Sequence, residues 1–430
     1  MRWKCVLKAV LATLATAAAL WSQTPQVIAV RAGHLFDAES GKLLANQVVL
    51  IQGDRIAEVG PAGQVAVPAG AKVIDLSQAT VLPGMIDAHV HVIPFQGTVP
   101  YRTLQALTSA QDALNAGFTT LVDMASRDTY ATIDLRNAID NGVVQGPRMQ
   151  VAGPAIDPRA ARPMPSPPLV NDKGIIGDLG VNSPWEGRAA VRKLSWYGAD
   201  WIKIFATQDF AGDQYKVFKP DGTMVNIPSL TLEEIKAIVD EAHRRDMKVA
   251  CHAYGGEALH SCIEAGVDLT MHAPELDDES LNMLVQKKLP LMFTLDDLIG
   301  LAKGDLKITG GKESRLSLDE IAFKKTLAAG VPMPFGSGAS TGSDFPLGKE
   351  ANQFAWFVKW GMTPTQALQT AFMVAANVLN YNWASQVGSI EKGKYADIIA
   401  VSGNPLQDVN VMEHVKFVMK GGVVVRNDLK

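Results

Sequence analysis

Cysteine is scarce in this chain, with three residues among 430. Cys5 lies in the first few residues, and Cys251 and Cys262 alone are too few for a disulfide scaffold, so we expect the protein to fold without a disulfide. An excess of charge of one sign is also lacking, because 40 Lys and Arg face 44 Asp and Glu with no basic block. We therefore expect no nucleic-acid partner.

Long apolar runs are missing except at the N-terminus. Arg2, Lys4 and Lys8 precede an apolar stretch over residues 9–21, and a polar Ser-Gln-Thr-Pro follows. This order predicts a signal peptide over residues 1–22 and export to the periplasm or the medium. An uncleaved anchor is the alternative, but about 13 apolar residues are fewer than the roughly 20 that a bilayer span needs. After cleavage we expect no membrane contact.

The rest of the chain divides by its pattern. Residues 23–79 and 385–430 consist of short β-rich runs separated by Gly, Pro and Asp turns, which predicts one β-sandwich domain built from both chain ends. Residues 80–384 alternate short apolar runs with helical segments. That alternation is typical of a parallel α/β fold, and its length favours a (β/α)8 barrel.

Two histidines follow the first predicted barrel strand in the segment Asp-Ala-His-Val-His. His89 and His91 are two residues apart, so in a strand their side chains share a face and suit a divalent metal. The pair alone is a weak signal, since such a spacing also arises by chance or in a structural pair.

Two more histidines end other predicted strands. His252 ends Lys-Val-Ala-Cys-His and His272 ends Asp-Leu-Thr-Met-His, at the strand ends where barrel enzymes place their sites. A hydrogen-bonded core histidine is the alternative for each one taken singly. The remaining histidines, in turns, helices and a connecting segment, are interpreted as structural or surface residues: His34, His243, His260 and His414.

Lys203 stands among large apolar neighbours in Trp-Ile-Lys-Ile-Phe. A buried ammonium is costly unless it is paired or neutral. A lysine that takes up carbon dioxide becomes a carbamate, an anion whose two oxygens can bridge two metal ions. The alternatives are a salt bridge or a side chain that extends to solvent.

Several motifs together resemble the amidohydrolase superfamily. They are residues 81–91 (VLPGMIDAHVH), 198–204 (GADWIKI), 251–254 (CHAY), 363–368 (TPTQAL) and 388–397 (GSIEKGKYAD). The branch most similar to this chain is that of the metal-dependent, prolidase-like carboxypeptidases, some of which hydrolyse ochratoxin-type amides. The resemblance spans nearly the whole chain after the signal peptide.

The resemblance implies a (β/α)8 barrel with a flanking β-sandwich, and a centre of two divalent ions, commonly zinc. It implies that His89 and His91 hold one ion, that His252 and His272 hold the other, and that carboxylated Lys203 bridges them. The implied activity is cleavage of an amide or peptide bond beside a free carboxylate in a dipeptide or small-molecule substrate, by a metal-activated hydroxide. We also expect a homo-oligomer.

One departure affects the proton shuttle. The family carries Gly-Thr/Ser-Asp at the end of the last barrel strand, whereas this chain has Gly338 at that position and a second Gly-Ser-Asp that ends at Asp344. Either Asp344 reaches the metals and carries the proton, or the site works without that acid, or much of the activity is lost. A structural interpretation of Asp344 is a turn cap.

Tyr254, two residues past His252, is a candidate donor to the oxyanion of the substrate, although it can equally pack. Two other functions remain open. One is hydrolysis of a cyclic amide or imine, as in imidazolonepropionase-like or dihydroorotase-like relatives. The other, suggested by Gly338, is a non-catalytic binding protein on the same scaffold.

Overall fold

The computed structural model describes residues 26–94, 96–126, 129–158, 179–207, 226–294, 315–343 and 345–429. The predicted signal peptide over residues 1–22 and Asp344 lie outside these ranges. Within them, no helix is both long and apolar enough to cross a membrane.

The described strands alternate with helices through the middle of the chain and stand alone at its two ends. The strands are β1 (Ile28–Asp37), β2 (Lys42–Gln52), β3 (Arg55–Pro61), β4 (Lys72–Pro83), β5 (Met85–Val90), β6 (Phe118–Asp123), β7 (Arg148–Val151), β8 (Ile156–Pro158), β9 (Leu179–Val181), β10 (Trp201–Phe205), β11 (Lys248–Gly255), β12 (Leu269–Glu275), β13 (Leu291–Met292), β14 (Ile398–Val401), β15 (Phe417–Lys420) and β16 (Val423–Asn427). The α-helices are α1 (Val99–Asn115), α2 (Ala131–Asp140), α3 (Pro184–Tyr197), α4 (Leu232–His243), α5 (Gly256–Ala265), α6 (Asp278–Lys287), α7 (Arg315–Ala328), α8 (Asn352–Lys359), α9 (Pro364–Gln369) and α10 (Ala375–Val378). A π-helical turn (Thr370–Val374) and two 3-10 turns (Trp383–Ser385 and Val409–His414) complete the described elements.

Strands from both chain ends share one seven-stranded sheet in the order β16-β15-β14-β4-β1-β2-β3. Strand β1 pairs antiparallel with β2 and parallel with β4, and β14 from the C-terminal part joins β4 antiparallel. Val30 and Val49 belong to one apolar cluster, whereas their chain neighbours Ala29 and Leu50 belong to another. Since successive side chains of a strand point to opposite faces, the sheet is buried on both sides.

The middle of the chain forms two parallel sheets, in the orders β5-β6-β7 and β13-β12-β11-β10-β8-β9. Their strands are short runs buried on both faces, as parallel strands covered by helices are. The α/β class that the sequence predicts is therefore confirmed.

Backbone hydrogen bonds connect these two sheets to further chain segments. Asp200 N, just before β10, donates to Val151 O of β7 at 2.8 Å. A segment over residues 335–341 runs beside β5, where Ala88 N donates to Phe335 O at 3.0 Å and His91 N donates to Ala339 O at 2.8 Å. The strands that carry the candidate site residues are thus held in register by backbone contacts.

Helix boundaries follow from local chemistry. Helix α3 begins after Ser183, whose side chain accepts from Glu186 N, and ends at Gly198 with a φ of 87° that glycine adopts without strain. Helix α4 begins with a capping box in which Thr231 and Glu234 satisfy each other's backbone N–H groups. These ends fix where each helix returns the chain to the next strand.

Candidate active site

The first histidine pair lies at the end of β5. His89 is 1% exposed and its Nε2 lies 3.3 Å from Nε2 of His91, so the two imidazoles converge on one point. His91 donates from Nδ1 to the carbonyl of Ala125 at 3.3 Å, because a carbonyl oxygen can only accept. That tautomer leaves the lone pair on His91 Nε2, the nitrogen nearer to His89.

The second pair comes from two neighbouring strands. The ring centroids of His252, on β11, and His272, on β12, are 4.5 Å apart, and His272 lies 5.4 Å from His89. His272 and Ala273 both have positive φ, at 75° and 49°, where the register of β12 against β11 shifts. Such conformations are uncommon outside glycine and often occur at functional sites. Thr294 Oγ1 lies 2.9 Å from Nδ1 of His272 and fixes that ring.

Lys203 on β10 is 1% exposed, and it is close enough to His89 for its charge to act on that ring. Its Nζ is 2.9 Å from Sδ of Met271 and 5.5 Å from the ring centroid of Phe205. A side chain that extends to solvent is therefore the wrong interpretation, because the amine itself is buried.

The site favours neutral imidazole. Burial lowers the pKa of His89 well below its usual value, and the positive charge of Lys203 and then of the other three histidines lowers it further. The neutral ring is the form that binds metal ions. Two buried acids near this pair shift in the other direction. Burial raises the pKa of Asp87, on β5, to about 7 and that of Glu350 to about 8.

The five predicted ligands thus lie in one region. They form two histidine pairs, and Lys203 is on β10, the strand that pairs with β11. Their donor chemistry fits divalent ions, because His91 and His272 have Nδ1 engaged and His89 is held neutral. Across the described ranges, no three His, Cys, Asp or Glu side chains are grouped as a complete ion site. The ligand set therefore stays a prediction.

Tyr254 lies beside the second pair. Its ring centroid is 4.7 Å from that of His252 and 6.3 Å from that of His272, and the residue is 6% exposed. Its backbone N–H donates to Oγ1 of Thr207 at 3.1 Å, which ties β11 to the end of β10. Tyr254 is therefore near the proposed ligands, while its catalytic role stays a prediction.

Gly338 lies beside β5, where its N–H donates to the carbonyl of His89 at 2.8 Å. Its φ of 73° is in the left-handed region, so a side chain at this position is strained. Asp344 falls outside the described residues, so its position relative to the histidines stays a prediction.

The expectation that Cys251 and Cys262 stay unpaired is wrong. They form a disulfide that joins β11 to α5, with the two Cα atoms 6.4 Å apart. Counting cysteines could not reveal this pairing, because it depends on how α5 packs against the strand that precedes it. The bond lies one residue before His252.

The histidines assigned to structural roles make such contacts where these are described. His243 lies 2.9 Å from a carboxylate oxygen of Asp268, and His260 lies 3.2 Å from one of Asp277, both near the surface. Neither belongs to the group around Lys203.

Sequence reasoning missed several residues that shape the site. Asp87 Oδ1 accepts from the backbone N–H of His89 and of Ser337, each at 3.0 Å. Its signal was present, as an acid inside an apolar strand. Thr294 gave no signal, because nothing in its local sequence marks it as a neighbour of His272.

The model of the amidohydrolase family matches residues 80–425 of this chain. The chain belongs to the amidohydrolase family. Ochratoxinase from Aspergillus niger is 27% identical over 438 aligned residues, which cover 92% of this chain and 86% of that protein.

Solved structures agree with this family. A crystal structure of a Xaa-Pro dipeptidase with bound methionine has a TM-score of 0.80 at 29% identity, covering 94% of this chain and all of that one. The crystal structure of the A. niger ochratoxinase also has a TM-score of 0.80, at 22% identity and with 94% and 96% coverage, which shows a shared fold. The resemblance to the prolidase-like branch of amidohydrolases is confirmed, and it supports a hydrolase of amide bonds.

Proposed function

We propose that this protein is a metal-dependent amidohydrolase that cleaves an amide or peptide bond beside a free carboxylate, as in dipeptides and ochratoxin-type amides. The convergence of two histidine pairs and a buried lysine at neighbouring strand ends carries this proposal. The similarity to a Xaa-Pro dipeptidase and to ochratoxinase supports the substrate class.

The fold that we propose is a closed (β/α)8 barrel over residues 80–384, with a β-sandwich domain from residues 23–79 and 385–430. The contacts of β7 with Asp200 and of β5 with residues 335–341 support closure, because they extend the pairing beyond the two parallel sheets. The site residues would then share the carboxyl ends of the barrel strands.

Two divalent ions would be held by the chain's own residues. His89 and His91 would hold one ion, and His252 and His272 the other. Zinc is the ion that we propose, since imidazole nitrogens suit it. Bound there, the ions would polarise the scissile carbonyl and lower the pKa of the attacking water.

Lys203 would complete this set as a carbamate. The ammonium would first lose one proton, and the neutral amine would then bond to the carbon of carbon dioxide and lose a second proton, so that release of two protons turns a buried cation into an anion. This conversion removes the cost of an ammonium that is 1% exposed, and it supplies two oxygen ligands.

The proton needs a carrier, because an amine leaves poorly unless its nitrogen is protonated. We propose Asp344 for this task, in place of the acid that Gly338 lacks. The phenol of Tyr254 would donate to the carbonyl oxygen as negative charge develops there.

Other features of the proposal concern the whole protein. The signal peptide over residues 1–22 would direct export to the periplasm or the medium, where the mature chain works as a homo-oligomer without nucleic-acid or membrane partners. The disulfide between Cys251 and Cys262 supports an oxidising compartment.

The test combines elemental analysis with turnover. We expect two divalent ions per chain in the metal-replete protein, and hydrolysis of Xaa-Pro dipeptides, carboxypeptidase substrates or ochratoxin-type amides. Blocking the substrate carboxylate as a methyl ester should remove most of kcat/KM, because a group built to pair that anion is left unpaired.

Each contrary result points to a named alternative. One ion or none per chain would refute the two-ion site. Equal turnover of free and blocked substrates, with cleavage of cyclic amides, would favour the imidazolonepropionase-like function. Two ions without any turnover would favour a binding protein, the function that Gly338 suggests.

A further inference from the structure

Strand β5 contains one extra residue relative to β6 at Ala88 and His89, so the irregularity includes the first histidine of the pair. Asp87 is opposite Leu121 of β6, and Val90 is opposite Asp123. Two residues of β5 therefore lie between these pairs, against one residue of β6. This count is that of a β-bulge, which redirects the side chains that follow it.

The bulge interrupts the regular alternation of side chains between Asp87 and Val90. Ala88 packs in the apolar cluster that contains Trp201 and Met271. A regular strand would place the next side chain on the opposite face. At the bulge, the ring centroid of His89 lies 5.4 Å from that of His272 on β12.

One carboxylate oxygen sits at the centre of this irregularity. Asp87 Oδ1 accepts from the N–H of His89, two residues on, and from the N–H of Ser337 in the neighbouring segment, each at 3.0 Å. The same oxygen therefore shapes the bulge and fastens it to the next chain segment. Asp87 is fully buried, so water does not replace these contacts.

The segment around Gly336, which Asp87 holds through Ser337, packs closely against His89. A Cβ added at Gly336 would lie 2.9 Å from Cβ of His89 and 2.1 Å from Sδ of Met292. Gln353 Nε2, on α8, donates to the carbonyl of Gly336 at 3.1 Å and also holds this segment. A shift of this segment would therefore move the imidazole of His89.

We propose that Asp87 is a positioning residue for the metal site, which sets the direction of His89 through the two N–H groups that its Oδ1 accepts. The inference rests on the proposed metal-binding function. It assigns the effect to acceptor geometry rather than to charge, since both hydrogen bonds use one oxygen that an asparagine also provides. Oδ2 accepts no backbone N–H among the described residues, and the side chain of Ser337 is a further polar neighbour of the carboxyl.

Three variants separate geometry from charge. Asp87→Asn keeps the acceptor and removes the charge, whereas Asp87→Glu keeps the charge but moves the carboxylate by one methylene. Asp87→Ala removes both. Asp200→Glu is the matched control, because Asp200 is also buried and accepts a backbone N–H, from Val151 at 2.9 Å, but precedes β10 at its opposite end.

The measurement is the zinc affinity of each purified full-length protein by competition with a chelator, beside its kcat, its KM and its thermal unfolding. We expect Asp87→Glu and Asp87→Ala to bind zinc roughly 10- to 100-fold more weakly than the parent. Their kcat should fall by a larger factor than their KM changes. Asp87→Asn should stay close to the parent. Asp200→Glu should unfold at a lower temperature with unchanged zinc affinity.

Different results overturn different statements. If Asp87→Glu binds zinc like the parent, or if Asp87→Asn is as weak as Asp87→Glu, the geometric role is wrong. If Asp87→Ala does not fold, the Asn and Glu variants still decide. A parent protein that binds no zinc would overturn the proposed metal function and this inference with it. If the parent binds zinc, the variants test the role of Asp87 separately from the metal function.

Discussion

The two histidine pairs of the candidate site are built by different means. His89 and His91 come from one strand, and a bulge with a buried acid turns them inward. His252 and His272 come from two strands, and a positive-φ pair at the end of β12 directs the second ring. A pair within one strand leaves a short motif in the sequence, whereas a pair across strands becomes visible only after the strands are aligned.

The surroundings of the pairs differ as well. The first pair has close neighbours in Gly338 and Asp87, which lie on or beside β5. The second pair has the disulfide of Cys251 one residue before His252. Changes on each side should therefore have separable effects on metal binding, proton transfer and stability.

The largest expected effect comes from the residue between the pairs. Lys203→Ala should lose at least one ion and about 1000-fold or more in kcat/KM, because it removes the proposed bridging anion and several kcal/mol of charge stabilisation. Elemental analysis and steady-state kinetics check this. A short carboxylic acid in the buffer should restore part of both.

A Lys203→Ala protein with full metal content and full turnover would refute the carbamate. Lys248→Ala is a suitable control, since this half-buried lysine on β11 donates to the carbonyls of Val378 and Leu379 instead. It should lower stability and leave the metal content unchanged.

The next effect tests the proposed proton carrier, Asp344. Asp344→Asn should keep the fold and cut kcat roughly 100-fold or more, the usual contribution of a positioned general acid-base. The kinetics of the metal-replete protein check this. An unchanged rate would eliminate Asp344 and leave another acid to carry the proton.

Gly338→Asp is the complementary change. It should raise activity if the site is impaired and lower it if Asp344 already fills that role. The φ of 73° at this position adds a strain of about 1 kcal/mol, so its thermal stability must be measured beside its rate.

A smaller effect concerns stability on the side of the second pair. Replacing Cys251 and Cys262 together by alanine should lower the free energy of unfolding by about 2 kcal/mol, since the disulfide closes a short loop of 11 residues. Denaturant unfolding checks this. If the second pair depends on the bond, zinc affinity falls too. An unchanged zinc affinity would show that β11 holds His252 without it.

The smallest effect is a pH dependence of the folding stability that arises from Glu350. Burial raises the pKa of Glu350 from 4.5 to about 8, so the folded protein holds this proton more tightly than the unfolded chain. The resulting stability is present in full below pH 4.5 and is lost as the pH rises through about 8. Glu350→Gln removes the titration, and its melting temperature should fall less between pH 6 and 9, by about a few degrees.

Comparison with the parent in the same buffers cancels titrating groups that do not interact with Glu350, such as Lys420, whose pKa burial lowers to about 8. Asp87 does interact with Glu350, because its charge also raises the pKa of Glu350, so the difference between the two proteins includes this interaction. Identical pH profiles of the parent and Glu350→Gln would mean that Glu350 does not carry this effect.

The sequence alone determined the α/β class and the family. Alternation of apolar runs and helices is a local property of the chain, and the histidine motif at residues 89–91 sits within a few residues, so both can be read without coordinates. The sequence also identified Lys203 from its apolar neighbours, because burial of an amine is unusual wherever it occurs.

Tertiary structure decided what depends on contacts between distant segments. The closeness of His89 to His272, the contact of Thr294 with His272, and the position of Gly338 beside β5 arise only when separate strands pack together. The disulfide and the bulge at Asp87 are similar cases. Each depends on register, and a shift of one residue changes which side chains meet, so no local pattern could fix them.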